Sequence, residues 1–140
     1  MHRLLFWCAP IFTAIIIVGS LVDNTVPSVS IDHIDKVYHA FAYTIMMLMW
    51  YVFFYSRFLK RQNLVSFGLG TILKNWSRPV AIGAGVFCLL VGILIELGQE
   101  YISTNRTMDI MDVLANFAGI ILAVILLMLI NKIYQQDKLK

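Results

Sequence analysis

The sequence predicts an all-α, polytopic membrane protein, a bundle of four transmembrane helices with both termini cytoplasmic. Three observations carry this expectation. The 140-residue chain is 60% hydrophobic and only 14% charged, where a soluble domain carries about 25% charged residues. Its mean hydropathy is +0.81. Several apolar runs also approach the roughly 20 residues with which a helix crosses about 30 Å of hydrocarbon. Barrel strands would be about half as long and would alternate in polarity. The runs leave no length for a separate soluble domain, so residues 1–140 read as one transmembrane domain.

The first span is placed at 4–22, LLFWCAPIFTAIIIVGSLV. The apolar part of a signal peptide runs to about 7–15 residues; this stretch is longer, so retention is expected rather than cleavage after VGS. Pro10 should kink the span or loosen its packing. A polar segment, DNTVPSVSIDHID, follows with a turn signal at Pro27. The second span is placed at 36–55, the third at 79–99 and the fourth at 112–130. Between the second and third, residues 56–78 form a basic cytoplasmic loop. Within it Val65, Leu69, Ile72, Leu73 and Trp76 approximate one helical face, with Lys60, Arg61 and Lys74 available for lipid phosphates. A short helix on the inner membrane surface and an irregular basic loop both fit, and Gly68 and Gly70 weaken the first.

Orientation follows from the basic residues. Arg3, Arg57, Lys60, Arg61, Lys74, Arg78, Lys132, Lys138 and Lys140 all fall on one side of the four-span arrangement. By the positive-inside rule that side is cytoplasmic. Lys36 and Arg106 fall opposite, together with seven of the eight acidic residues. The basic loop is explained by topology and anionic membrane lipids, and nothing points to nucleic acid. Cys8 and Cys88 lie within apolar spans at different depths and read as packing residues. Gly83, Gly85 and Gly92 on the third span, and Ala115 with Gly119 on the fourth, read as places where helix backbones meet closely.

Three polar intrusions interrupt this apolar pattern. In DKVYHAFAY, Asp35, His39 and Tyr43 are four apart and share a helical face, descending roughly 12 Å at about 1.5 Å per residue. In ELGQ, Glu96 and Gln99 share a face near the outer end of the third span. In RTMDIMDVLANFAG, Asp109, Asp112 and Asn116 share a face, and Arg106 precedes them by a turn. Three segments thus bring polar groups to the outer leaflet, where they need partners other than acyl chains. Asp35, Glu96, Asp109 and Asp112 outnumber Lys36 and Arg106 by two if His39 is neutral. Either a carboxyl holds a proton or something positive enters: a protonated His39, a divalent cation or an amine ligand. The alternative is a structural clamp, with Asp35 and Asp112 capping helix starts and ion pairs locking the hairpins.

These motifs, "DK..H...Y", "E..Q" and "R.....D...N..G" in that order, resemble the VanZ-like membrane proteins over nearly the whole chain. The family pattern falls on Asp35, Lys36, His39, Tyr43, Glu96, Gln99, Arg106, Asp112, Asn116 and Gly119. Family members often carry Pro-Gly before the arginine, where this chain has Thr104 and Asn105, so the turn there is expected to differ. The resemblance implies a bacterial cytoplasmic (inner) membrane protein of the cell envelope, in a family whose founding member is associated with low-level resistance to the lipoglycopeptide teicoplanin.

Two functions from different classes follow. One is binding: an outward pocket of Asp35, Lys36, His39, Tyr43, Glu96, Gln99, Arg106, Asp112 and Asn116 would hold a lipid head group, an envelope precursor or a lipoglycopeptide antibiotic. No Ser or Cys stands in a motif with a positioned base, which favours this reading. The other is an intramembrane hydrolase or transferase acting on a lipid-linked substrate. There His39 would be the acid or base, Glu96 or Asp112 would orient it or bind a metal, and Lys36 with Arg106 would hold a phosphate. Membrane lipids are partners in either case, and a homo-oligomer is compatible with both. A proton- or ion-coupled transporter fits less well, because four unbroken spans give little room for alternating access without dimerisation.

Overall fold

The computed structural model describes residues 2–21, 34–62, 68–102 and 108–136, and every element in it is a helix. These are α1 (His2–Leu21), α2 (Ile34–Arg61), α3 (Leu69–Lys74), α4 (Arg78–Ile102) and α5 (Ile110–Gln136). Three are long and apolar enough to cross a membrane: α2, α4 as far as Tyr101, and α5. The first helix adds a shorter apolar stretch, Trp7–Leu21, and continues through Pro10.

The helices outrun the expected spans. α2 continues to Arg61 and takes up the first residues of the basic segment, because SRFLKR contains no breaker and a helix's hydrogen bonding does not stop at the hydrocarbon edge. Lys60 and Arg61 in its last turn suit the negative end of the helix dipole. Of the segment beyond, the structure describes Gly68 onward. The six-residue α3 buries Ile72 and docks on the end of α5, where Asn131 and Gln135 donate to the Lys74 carbonyl at 2.6 and 3.2 Å. Val65, the first residue of the expected amphipathic face, lies outside the described residues. Leu69 is exposed.

α2 is the hub, touching each of the other four helices. Its Met46, Met47 and Tyr51 are sealed in the core with Ala84 and Cys88 of α4 and Ala123 of α5. Trp50 ties in α1: its indole N–H donates to Thr13 Oγ1 at 2.9 Å, and that hydroxyl donates to the Ala9 carbonyl at 2.9 Å. The ring lies against Phe53, Phe54 and Phe87. Both cysteines are free, Cys8 exposed and Cys88 buried. On α4 the outward residues Ile82, Val86, Leu90 and Leu94 recur every fourth position and are all exposed. In water such a stripe would be a liability; facing acyl chains, it is the ordinary surface of a membrane helix.

The direction of the helices places the polar residues. Pairs between α2 and α5 keep an almost constant offset, Lys36 with Asp112, His39 with Asn116 and Thr44 with Gly119, so the two helices run parallel. Glu96, near the end of α4, meets His39 near the start of α2, and Gln99 meets Ser20 at the end of α1. The starts of α2 and α5 and the ends of α1 and α4 therefore share one end of the bundle.

Candidate functional site

Close approach of two backbones builds that end. A Cβ at Gly119 of α5 would run into the Ala40 carbonyl of α2. Glycine is required there, and its absence of side chain lets the helices touch. Thr44 fastens the contact, its hydroxyl 2.7 Å from the Ala40 carbonyl and 3.0 Å from that of Gly119. One turn nearer the helix starts, His39 Nδ1 lies 3.1 Å from Asn116 Oδ1. One further turn out, Lys36 Nζ lies 2.5 Å from both Asp112 Oδ1 and Asp109 Oδ2, and 2.9 Å from Asp35 Oδ2.

Asp109 also starts α5. Its carboxylate accepts the Met111 N–H at 2.8 Å, the geometry of an N-cap. The Lys36 ammonium hydrogen-bonded to it, aided by the Met111 amide, holds its carboxyl below the usual carboxylate range. The cap therefore falls on Asp109 and not on Asp112, and Asp35 lies inside the first turn of α2. Freed from capping, Asp112 turns one oxygen to Lys36 and the other, Oδ2, to His39 Nε2 at 3.8 Å.

Below this rim the cluster closes. Glu96 of α4 is 0% exposed, with Oε1 4.0 Å from His39 Nδ1. One ligand atom from each of His39, Glu96 and Asp112 lies within 4.8 Å of the others. Among the described residues neither Glu96 oxygen has a hydrogen-bond partner, nor does Tyr43 Oη or Asn116 Nδ2. Buried polar atoms are nearly always partnered, so four together on three helices is unusual. Gly92, one turn before Glu96, makes room for two of them. A Cβ there would lie 3.1 Å from Tyr43 Oη and 3.2 Å from Asn116 Nδ2.

The structure thus brings together Lys36, His39, Glu96, Asp112 and Asn116, with Tyr43 beneath and Asp35 at the rim. Gln99 faces elsewhere: it is buried, and its Nε2 donates to the Ser20 carbonyl at 3.0 Å, joining α4 to α1. Arg106 lies outside the described residues. Sequence reasoning passed over Thr44, whose signal was a hydroxyl beside Tyr43 in an apolar run, and read Gly92 as packing alone. Chemically, the cluster offers a basic nitrogen between two carboxylates, with an ammonium above them. The ammonium of Lys36 holds three carboxylates, and the fourth, Glu96, is left beside His39.

No curated protein and no solved structure matches the chain. A family model described as VanZ/LLP1 matches residues 6–131, which include the whole polar ladder from Asp35 to Gly119. The chain belongs to the VanZ/LLP1 family.

Proposed function

We propose that this protein is a four-span bundle in a bacterial cytoplasmic membrane, with its polar pocket at the outer leaflet and both termini inside. The pocket binds the polar head of a lipid-anchored envelope molecule: a lipid head group, an envelope precursor or a lipoglycopeptide antibiotic. The nine basic residues on the opposite side support the orientation. Taking α1 as a span rests on its 20 residues, about 30 Å of helix.

One observation carries the binding reading. Glu96 is fully buried, and neither of its oxygens has a hydrogen-bond partner among the described residues. A clamp evolved for stability alone would pair that carboxyl or replace it with an apolar side chain, which is often neutral or stabilising. Leaving it open preserves a recognition group for a positive centre, carried on the head group or arriving with it. His39 between Asp112 and Glu96 also gives the hydrolase or transferase alternative an acid–base group in the right company.

The test uses protein in nanodiscs, with Glu96→Gln and Asp112→Asn beside wild type. Retention of anionic and zwitterionic phospholipids, lipid-linked precursors and a lipoglycopeptide is measured by native mass spectrometry. Binding predicts that one of these classes is retained by wild type and lost from both variants. Consumption of a retained lipid by wild type alone would move the assignment to the enzyme. Equal retention by all three would return the site to a clamp.

A further inference from the structure

We infer that His39, Glu96 and Asp112 bind a first-row divalent cation of the Zn2+ or Mn2+ class, with Asn116 holding His39 in its ligating tautomer. Three different helices each contribute one ligand, and the three ligand atoms lie within 4.8 Å of one another. Nitrogen and oxygen ligands sit about 2.0–2.2 Å from such an ion, hence roughly 3–4 Å apart. The side chains need contract by only about 1 Å.

The imidazole is arranged for this. Asn116 Oδ1 is an acceptor, so its 3.1 Å contact requires the proton on Nδ1. In neutral His39 that leaves Nε2 with its lone pair, facing Asp112 Oδ2 at 3.8 Å. Two electron pairs facing each other beyond hydrogen-bond distance mark a place for a cation. A ligating histidine usually gives its other N–H to a carbonyl or carboxylate, which fixes the ring; Asn116 occupies that position. Lys36 does the same for Asp112, holding Oδ1 and leaving Oδ2 to the ion.

Glu96 supplies the independent sign. It is wholly buried, its Oε1 lies beside the imidazole of His39, 4.0 Å from Nδ1, and both oxygens lack a partner among the described residues. Two carboxylates and a neutral imidazole balance a dication. The nitrogen ligand favours transition metals over Mg2+ and Ca2+, which prefer all-oxygen sites. Three protein ligands leave positions open for a phosphate or water. The ion site is independent of which head group enters, since its occupancy is read without lipid.

Full-length protein in detergent, stripped with chelator, is titrated calorimetrically with ZnCl2 and separately with MnCl2. The expected result is one ion per chain, not displaced by a hundredfold excess of Mg2+ or Ca2+. Glu96→Gln and Asp112→Asn should each weaken uptake more than about a hundredfold. Asn116→Leu should weaken it about 10–100-fold, the usual effect of losing an outer partner. Glu100→Gln, an exposed carboxylate on the same helix, should change nothing. Gel filtration and helical circular dichroism check folding, and Asp112→Asn decides the matter if Glu96→Gln does not fold. Uptake by wild type no tighter than by Asp112→Asn, or displaced by Mg2+, overturns the site. Ion uptake without lipid retention leaves the ion site and removes the head-group reading; retention without uptake does the reverse.

Discussion

Lys36 Nζ and Asp112 Oδ1 meet at 2.5 Å across α2 and α5, and the same ammonium also holds Asp109 and Asp35. One cation thus ties three carboxylates at the end of a helix pair, with Asp112 passing its second oxygen inward to His39. The rim and the buried cluster are therefore one electrostatic unit, and most of what can be tested follows from that.

Removing the ammonium should destabilise the bundle. In Lys36→Met three neighbouring carboxylates lose their common partner while most of the side-chain volume is kept. A charged hydrogen bond left unmade costs about 1–3 kcal/mol, and some of this is screened because Lys36 and its partners are partly exposed. Thermal unfolding in detergent at pH 7 should show the loss, and lowering the pH below about 4 should narrow the gap to wild type as Asp109 takes up a proton.

The rim also gives wild type an acid-sensitive component. Asp109 has its carboxyl pK lowered by Lys36, so its contribution is fully present above the unfolded value of about 3.9. It is lost as pH falls through the lower folded value. Melting temperature measured from pH 6 down to pH 3 should therefore fall below about pH 4. In Asp109→Asn the helix cap survives, since Asn is also a good N-cap, but the charge does not. Its profile should be flatter over that range; an identical slope would show that other groups carry the acid response.

Gly119 and Gly83 should behave oppositely. Any side chain at Gly119 meets the Ala40 backbone, whereas a Cβ at Gly83 meets nothing within 4 Å. Gly119→Leu should cost at least the roughly 1–3 kcal/mol of overpacking and separate His39 from Asn116. Gly83→Ala should be neutral or stabilising by up to about 1 kcal/mol, through helix propensity. Unfolding midpoints of the two variants in the same detergent decide it.

The polar contact between Trp50 and Thr13 of α1 can be removed by itself. Thr13→Val keeps the shape but leaves the buried Trp50 N–H without its acceptor, at about 1–3 kcal/mol. Repeating the change in a Trp50→Phe background should abolish most of that loss. A full loss in both backgrounds would assign the effect to packing of α1 instead.

How much of this was legible in the sequence depends on which force decides each feature. Hydropathy announces membrane-crossing helices, since each must be apolar over about 20 residues. It says little about where they end, because the helical hydrogen bonds of α2 run on past Tyr55 to Arg61. Spacing put His39, Asp112 and Asn116 on inward faces, and the common offset of α2 and α5 brings them together. Spacing could not tell Asp109 from Asp112 as the cap, since either can precede a helix; the Met111 N–H that Asp109 accepts settles it. Gln99 shares a face with Glu96 by number alone. Three residues advance a helix about 300°, and that offset is enough to turn Gln99 toward Ser20 of α1. Thr44 and Gly92 gained meaning only from the neighbours that the fold supplies.

The central claim is that the buried end of this bundle is kept open for a ligand rather than closed for strength. Glu96→Gln separates the two, because it removes a buried charge while keeping its shape. Thermal stability and ligand content should be measured on the same nanodisc preparation, stripped of metal and then resupplied with membrane extract and Zn2+. The account predicts that stripped Glu96→Gln is at least as stable as stripped wild type, yet retains less lipid-anchored ligand and less metal. A variant that is less stable, with ligand and metal content unchanged, would contradict it and make the cluster a clamp.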